Sequence, residues 1–113
     1  MEQFVSEPHI KIYVCEVNGR EEGILVLDNG SSSAEIVGIA VSENCRHNGI
    51  GRYMIQQVMA LEQPKVLYAQ TDDDAVGFYR SCGFTVETEA KEYPNGIVNR
   101  YNCELKGKPP AQS

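Results

Sequence analysis

Residues 34–52 read AEIVGIAVSENCRHNGIGR. The first eight are nearly all apolar, the composition of a strand buried on both faces. From Ile50 the period changes. Ile50, Met54, Val58 and Leu61 recur at spacings of four, four and three, one stripe of an amphipathic helix that Pro64 stops. Between strand and helix stand Arg46, His47, Asn48, Gly49, Gly51 and Arg52, with no acid from 46 to 52, in a chain of formal net charge −6. A helix N-terminus leaves N–H groups unpaired and carries partial positive charge. Glycines let an anion approach that backbone, and the arginines add full charge. The stretch therefore predicts a strand, an anion-binding turn and a helix, with phosphate or pyrophosphate as the natural guest.

The flanks fit a sheet around this unit. IKIYVCEV (10–17) alternates apolar and polar residues, Asn18-Gly19 is a hairpin signal, and GILVLD (23–28) returns. With 34–41 these make an antiparallel meander. VLYAQ (66–70) reads as a short buried strand, and strand–helix–strand order sets it parallel to 34–41. Asp72, Asp73 or Asp74 caps a second helix, whose inner face is Ala75, Phe78, Tyr79 and Cys82 and whose end is Gly83. Residues 84–90 and 97–105 form a hairpin around Pro94-Asn95-Gly96. The expectation is an α/β (α+β) fold in one domain, residues 1–105. It has a mixed, mostly antiparallel sheet of about six strands and two main helices, and residues 106–113 form a disordered tail. Ligands often sit at the carboxyl ends of parallel strands beside helix N-termini, where 44–52 lies.

Composition narrows the function. The 113 residues, 42% hydrophobic, suit one core. No apolar run approaches the roughly 18 to 20 residues of a membrane helix, and MEQFVSEPHI lacks a signal-peptide pattern, so a cytoplasmic location and no membrane partner are expected. Four cysteines without CxxC spacing and two histidines predict reduced thiols and no metal. The acidic balance argues against nucleic acid and suits a cationic partner such as an amine. The ATP-binding P-loop requires GxxxxGK followed by Ser or Thr, which is absent. The dinucleotide GxGxxG fails because Met54 follows Gly49-Ile50-Gly51.

RHNGIG (46–51) matches the Arg/Gln-x-x-Gly-x-Gly/Ala signature of the GNAT acyl-CoA N-acyltransferases. AVGFYRSCGF (75–84) resembles that family's second signature, a helix ending in Phe-Tyr-x-x-x-Gly-Phe. The resemblance covers about residues 10 to 105 in the order of elements. It implies acetyl-CoA as cosubstrate, no metal, and transfer of the acetyl group to a primary amine by direct attack in a ternary complex. It implies that the backbone of Ile39, Ala40 and Val41 pairs with the pantetheine arm, with the Ile39 N–H polarising the thioester carbonyl. It implies that Arg46, Asn48, Gly49, Gly51 and Arg52 hold the pyrophosphate, with backbone N–H groups from His47 and Ile50. Asp72 stands where the family commonly has Asn; it can accept hydrogen bonds but not donate. Tyr79 matches the tyrosine that protonates the departing thiolate, and is equally placed as an inner-face aromatic.

Glu35 is the one charge in the apolar run 34–41. A buried acid there has a raised pKa that suits a base. Period two puts Glu35, Val37, Ile39 and Val41 on one face. A Glu before a similar strand is the general base in the family's histone-acetylating branch. A strand-end Glu in solvent, with water as base, is the alternative. Family members usually begin with a strand and two helices, whereas MEQFVSEPH alone precedes the meander here. An open acceptor groove, or a homodimer that completes it, is expected. A non-catalytic module binding coenzyme A is the rival function.

Overall fold

Asn18 and Gly19 both take positive φ, 53° and 80°, which a tight hairpin between right-twisted strands requires. They join β2 (Ile10–Val17) to β3 (Arg20–Asn29), and β3 returns through β4 (Ser33–Val41). A turn with a short 3-10 segment, Glu43–Cys45, leads to α1 (Ile50–Glu62), followed by β5 (Val66–Thr71), α2 (Val76–Ser81), β6 (Thr85–Tyr93) and β7 (Gly96–Lys106). β1 (Glu2–Glu7) pairs antiparallel with β2 and adds an edge strand that no sequence pattern singled out. This computed structural model describes residues 2–7, 9–30, 32–46, 48–94 and 96–107. The expected turn residue Asn95 and tail residues 108–113 lie outside them.

One mixed sheet results, ordered β1-β2-β3-β4-β5-β7-β6. Every neighbouring pair is antiparallel except β4 and β5, as the strand–helix–strand order predicts. The α+β class and the two helices stand as expected. No described helix is long and apolar enough to cross a membrane.

The core lies between one sheet face and the two helices. Tyr13, Leu25, Leu27, Ile36 and Leu67 from the sheet meet Met54, Ile55 and Val58 of α1 and Tyr79 of α2. Burying each such side chain contributes about 1.5–3 kcal/mol. Two sequence readings are corrected here. Residues 34–41 are not buried on both faces: Ala34 and Ile36 are buried, whereas Glu35 is exposed and Val37 is 61% exposed. A strand needs a layer on each side to be doubly buried, and helices cover only one face of this sheet. Leu61 is 59% exposed, because the buried stripe of α1 is rotated onto Gly51, Met54, Ile55 and Val58.

The far end of α1 is fixed by Glu62. Its carboxylate accepts from Lys11 Nζ at 2.8 and 2.9 Å, from Asn29 Nδ2 at 2.9 Å and from the Tyr13 hydroxyl. Burial alone raises the Glu62 pKa, but the bonds from Lys11, Tyr13 and Asn29 and the Lys11 charge outweigh it, so the net shift is downward.

Candidate active site

The site begins with a fault in β4. Leu27 of β3 pairs with Ile36, but the next residue back, Val26, pairs with Gly38. Val37 is the extra residue of a β-bulge, and a bulge reverses which residues face which side. Ile36 is buried before it; Ile39 and Val41 pack against the same core after it. Glu35 and Ile39 therefore do not share a face, contrary to unbroken alternation. Glu35 points with the exposed side of the sheet and is not the buried acid expected.

Beyond the bulge, β4 and β5 separate. Their parallel pairing runs from Ser33↔Val66 to Ile36↔Ala69 and stops. Gln70 and Thr71 of β5 pair with β7 alone, and Val37–Val41 have no β5 partner among the described residues. The result is a slot with one wall of unpaired strand backbone, which an extended amide-bearing arm can match as an added strand. Ile39, Ala40 and Val41 form that wall.

At the mouth of the slot the chain turns into α1. The Ser42 N–H bonds the Glu22 carbonyl at 2.8 Å, and its hydroxyl donates to the Glu22 carboxylate. Arg46 Nε donates to the Val41 carbonyl at 3.3 Å, so this guanidinium lies over the end of β4. Gly49 sits at φ 80°, a left-handed conformation that favours glycine, and serves as the N-cap. No side chain caps α1 and no acid lies in its first turn. The first helical bond is from Tyr53 N–H to Gly49 O at 2.9 Å, which leaves the N–H groups of Ile50, Gly51 and Arg52 without helical partners. An uncapped positive helix end, flanked by exposed Arg46 and Asn48, fits the donor set a pyrophosphate needs. His47 lies outside the described residues.

The two glycines divide their work. Gly49 supplies the positive φ in open space. A Cβ on Gly51 would stand 2.8 Å from Cε1 and Cζ of Phe78, so Gly51 lets α2 approach α1. Arg52 has a second partner as well: its guanidinium donates to the Ser81 carbonyl at the end of α2. Its side chain ties the helices together, while its backbone N–H stays in the first turn of α1. A residue that sequence reasoning missed is Gly23. A Cβ there would lie 2.9 Å from Met54 Cε and 3.0 Å from Ile50 Cγ2, so α1 rests directly on β3 at its N-terminal end. The signal was present in GILVLD, since an isolated glycine in a strand marks a close approach.

Tyr79 is 5% exposed and packs edge-to-face on Phe78 and Phe84, both at 5.2 Å between ring centroids. Burial first, then the nearby Cys103 and Cys82 thiols, raise its pKa from 10.0 to about 12. The hydroxyl is thus a proton donor at neutral pH. Asp72 organises the turn before α2: its Oδ1 accepts from the N–H of Asp74 at 3.1 Å and of Ala75 at 3.2 Å, while the N-cap of α2 is Ala75 rather than one of the three aspartates expected. Burial raises the Cys82 thiol, with Ser81 and Arg52 pulling it back in part, which makes it a poor nucleophile. All four cysteines are free. No described cluster of His, Cys, Asp or Glu could hold a metal.

A family model described as an acetyltransferase (GNAT) domain matches residues 8–86. Compared by sequence with curated proteins, the chain matched none. Solved structures share the fold at low identity. The ribosomal-protein-S18-alanine N-acetyltransferase of Escherichia coli has a TM-score of 0.75 at 16% identity, over 95% of this chain and 75% of that one. An acetyltransferase of Bacillus subtilis in complex with CoA has a TM-score of 0.70 at 17% identity, over 87% and 77%. A GNAT family acetyltransferase of Elizabethkingia anophelis with acetyl-CoA bound has a TM-score of 0.66 at 20% identity, over 87% and 76%.

Proposed function

Because the chain belongs to the GNAT acetyltransferase family, we propose that it transfers an acetyl group from acetyl-CoA to a primary amine by direct attack in a ternary complex. The observation that carries this reading is the slot between β4 and β5, which opens beside the uncapped N-terminus of α1. Acetyl-CoA supplies an activated thioester when bound. The protein supplies the rest. The unpaired edge of Ile39–Val41 aligns the pantetheine arm, and the N–H groups of Ile50, Gly51 and Arg52, with Arg46 and Asn48, hold the pyrophosphate. The Ile39 N–H donates to the thioester carbonyl oxygen.

Acid and base stand on opposite faces of the sheet. Tyr79 belongs to the helix-covered face and gives its proton to the leaving sulfur. Glu35 belongs to the open face and, directly or through a water, takes the proton of the incoming amine. The slot joins the two faces, so the amine enters from one side while the thiol leaves on the other. Neither Cys82 nor another thiol is needed as a nucleophile.

The protein is proposed to act in the cytoplasm without nucleic acid, membrane or metal. A homodimer formed through the free edge of β1 would leave the slot accessible. The exposure of Glu35 favours one second reading, a module that binds acyl-CoA without turnover. Thiol release from acetyl-CoA, measured across a panel of small amines, polyamines and peptides with mass detection of the product, separates the two. Acetylated amine supports the transferase. Tight binding with no product on any acceptor supports the module.

A further inference from the structure

Residues opposite one another on neighbouring strands share a face. The registers therefore assign each side chain to the covered or the uncovered side of the sheet. Tyr13↔Leu25 and Leu27↔Ile36↔Ala69↔Cys103 run across the covered face. The uncovered face carries Val14↔Ile24↔Ala40, Ile12↔Val26, and the row Asp28↔Glu35↔Tyr68↔Glu104. Its apolar surface is substantial. Ile24 is 41%, Val37 61% and Tyr68 39% exposed. The registers put Asp28, Glu35, Glu87, Glu89 and Glu104 on this face against Lys91, Arg100 and Lys106, so acidic positions predominate.

An antiparallel sheet can leave one face to water, but an apolar strip on that face marks an interaction surface. The acids decide what suits that surface. A second copy of this chain would bring the same acidic surface and a net charge of −6, and like charges across an interface are costly. The occupant has to combine an apolar stripe with positive charge.

We propose that this face docks a basic amphipathic helix of a partner protein. Its apolar stripe lies on Ile24, Val37 and Tyr68, and its lysines or arginines face the glutamates of β6 and β7 and Glu35 of β4. The surface stands whether or not the slot catalyses acetyl transfer. Where it does, the docked helix forms a wall beside Glu35 and narrows access to the slot.

The test uses two synthetic amphipathic peptides about 18 residues long, one of Leu and Lys and one of Leu and Glu, titrated by fluorescence anisotropy. The Leu/Lys peptide binds and weakens as salt is raised, and the Leu/Glu peptide does not bind. The double variant Ile24→Ser/Val37→Ser weakens the Leu/Lys peptide about tenfold. Circular dichroism and thermal melting of the variant establish that it is folded. Glu104→Lys, a surface change outside the apolar strip, also lowers affinity and serves if the double variant does not fold. Four results overturn the proposal: no binding, equal binding of both peptides, affinity unchanged in the folded variants, or a dimer in light scattering that Ile24→Ser/Val37→Ser dissolves.

Discussion

Replacing Glu62 by Ala tests how α1 is held. Glu62 is the last residue of the helix, where the macrodipole disfavours an anion by about 0.3–1 kcal/mol. Three donors overcome that cost. Lys11, with 25% side-chain exposure against 10% for Glu62, is near enough to the surface that its ion pair contributes about 1 kcal/mol. The bonds from Asn29 and Tyr13 are to a charged acceptor. Removing the carboxylate also leaves the hydroxyl of Tyr13, a residue 1% exposed, without its acceptor, at about 1–3 kcal/mol. After the dipole gain is subtracted, a net loss of about 3 kcal/mol is expected. That corresponds to a fall in Tm of about 10 °C for a chain of this size. Urea unfolding gives the free energy, and a double-mutant cycle with Tyr13→Phe isolates the shared bond. The pH dependence has a fixed sign. A carboxyl whose folded pKa is depressed stabilises fully above its ordinary value of 4.5, and that contribution is lost as pH falls through the folded pKa. The stability curves of wild type and Glu62→Gln should therefore converge in acid and separate towards neutrality. A loss under about 1 kcal/mol, or strict additivity with Tyr13→Phe, would refute the reasoning.

Arg46→Glu should weaken acetyl-CoA binding by about tenfold or more in titration calorimetry, since it places an anion beside the pyrophosphate site; unchanged affinity would remove Arg46 from it. Tyr79→Phe should lower kcat about a hundredfold with little change in KM for acetyl-CoA, and full turnover would show that Tyr79 is not the acid. Glu35→Gln should lower kcat about tenfold or more, and full turnover would assign the base to water. Gly51→Ala should cost about 1 kcal/mol of stability, because crowding against Phe78 exceeds the helix-propensity gain. A higher Tm in that variant would contradict the close approach of α1 and α2.

Local pattern carried the strand–turn–helix of 34–52, the hairpin at Asn18-Gly19 and the parallel step from β4 to β5. These features rest on neighbours in sequence, and local chemistry sets them. What the sequence hid depends on distance along the chain. Glu62 meets Lys11, Tyr13 and Asn29 across separations of 51, 49 and 33 residues, and nothing near Glu62 marks it as an anchor. β1 has no strong alternation and exists as a strand because β2 offers it an edge. Glu35 looked buried because its neighbours are apolar on both sides of the strand, and only the tertiary layering shows that its face is uncovered. Arg46, Asn48 and Gly49 lie together as the spacing implied. The bond from the Arg52 side chain to the Ser81 carbonyl and the turn held by the Asp72 carboxylate are further features that a motif cannot show.

Val37 makes the slot a matter of one residue. Deleting it would restore unbroken alternation along β4 and let Gly38 follow Ile36 in ordinary register with β3. Residues 38–41 would keep their present β3 partners and their sides, and β4 would be free to continue alongside β5 past Ala69. The sheet would be more regular, but the slot proposed to take the coenzyme would be lost. A one-codon deletion in β4 is therefore expected to cost the proposed coenzyme binding without costing the fold.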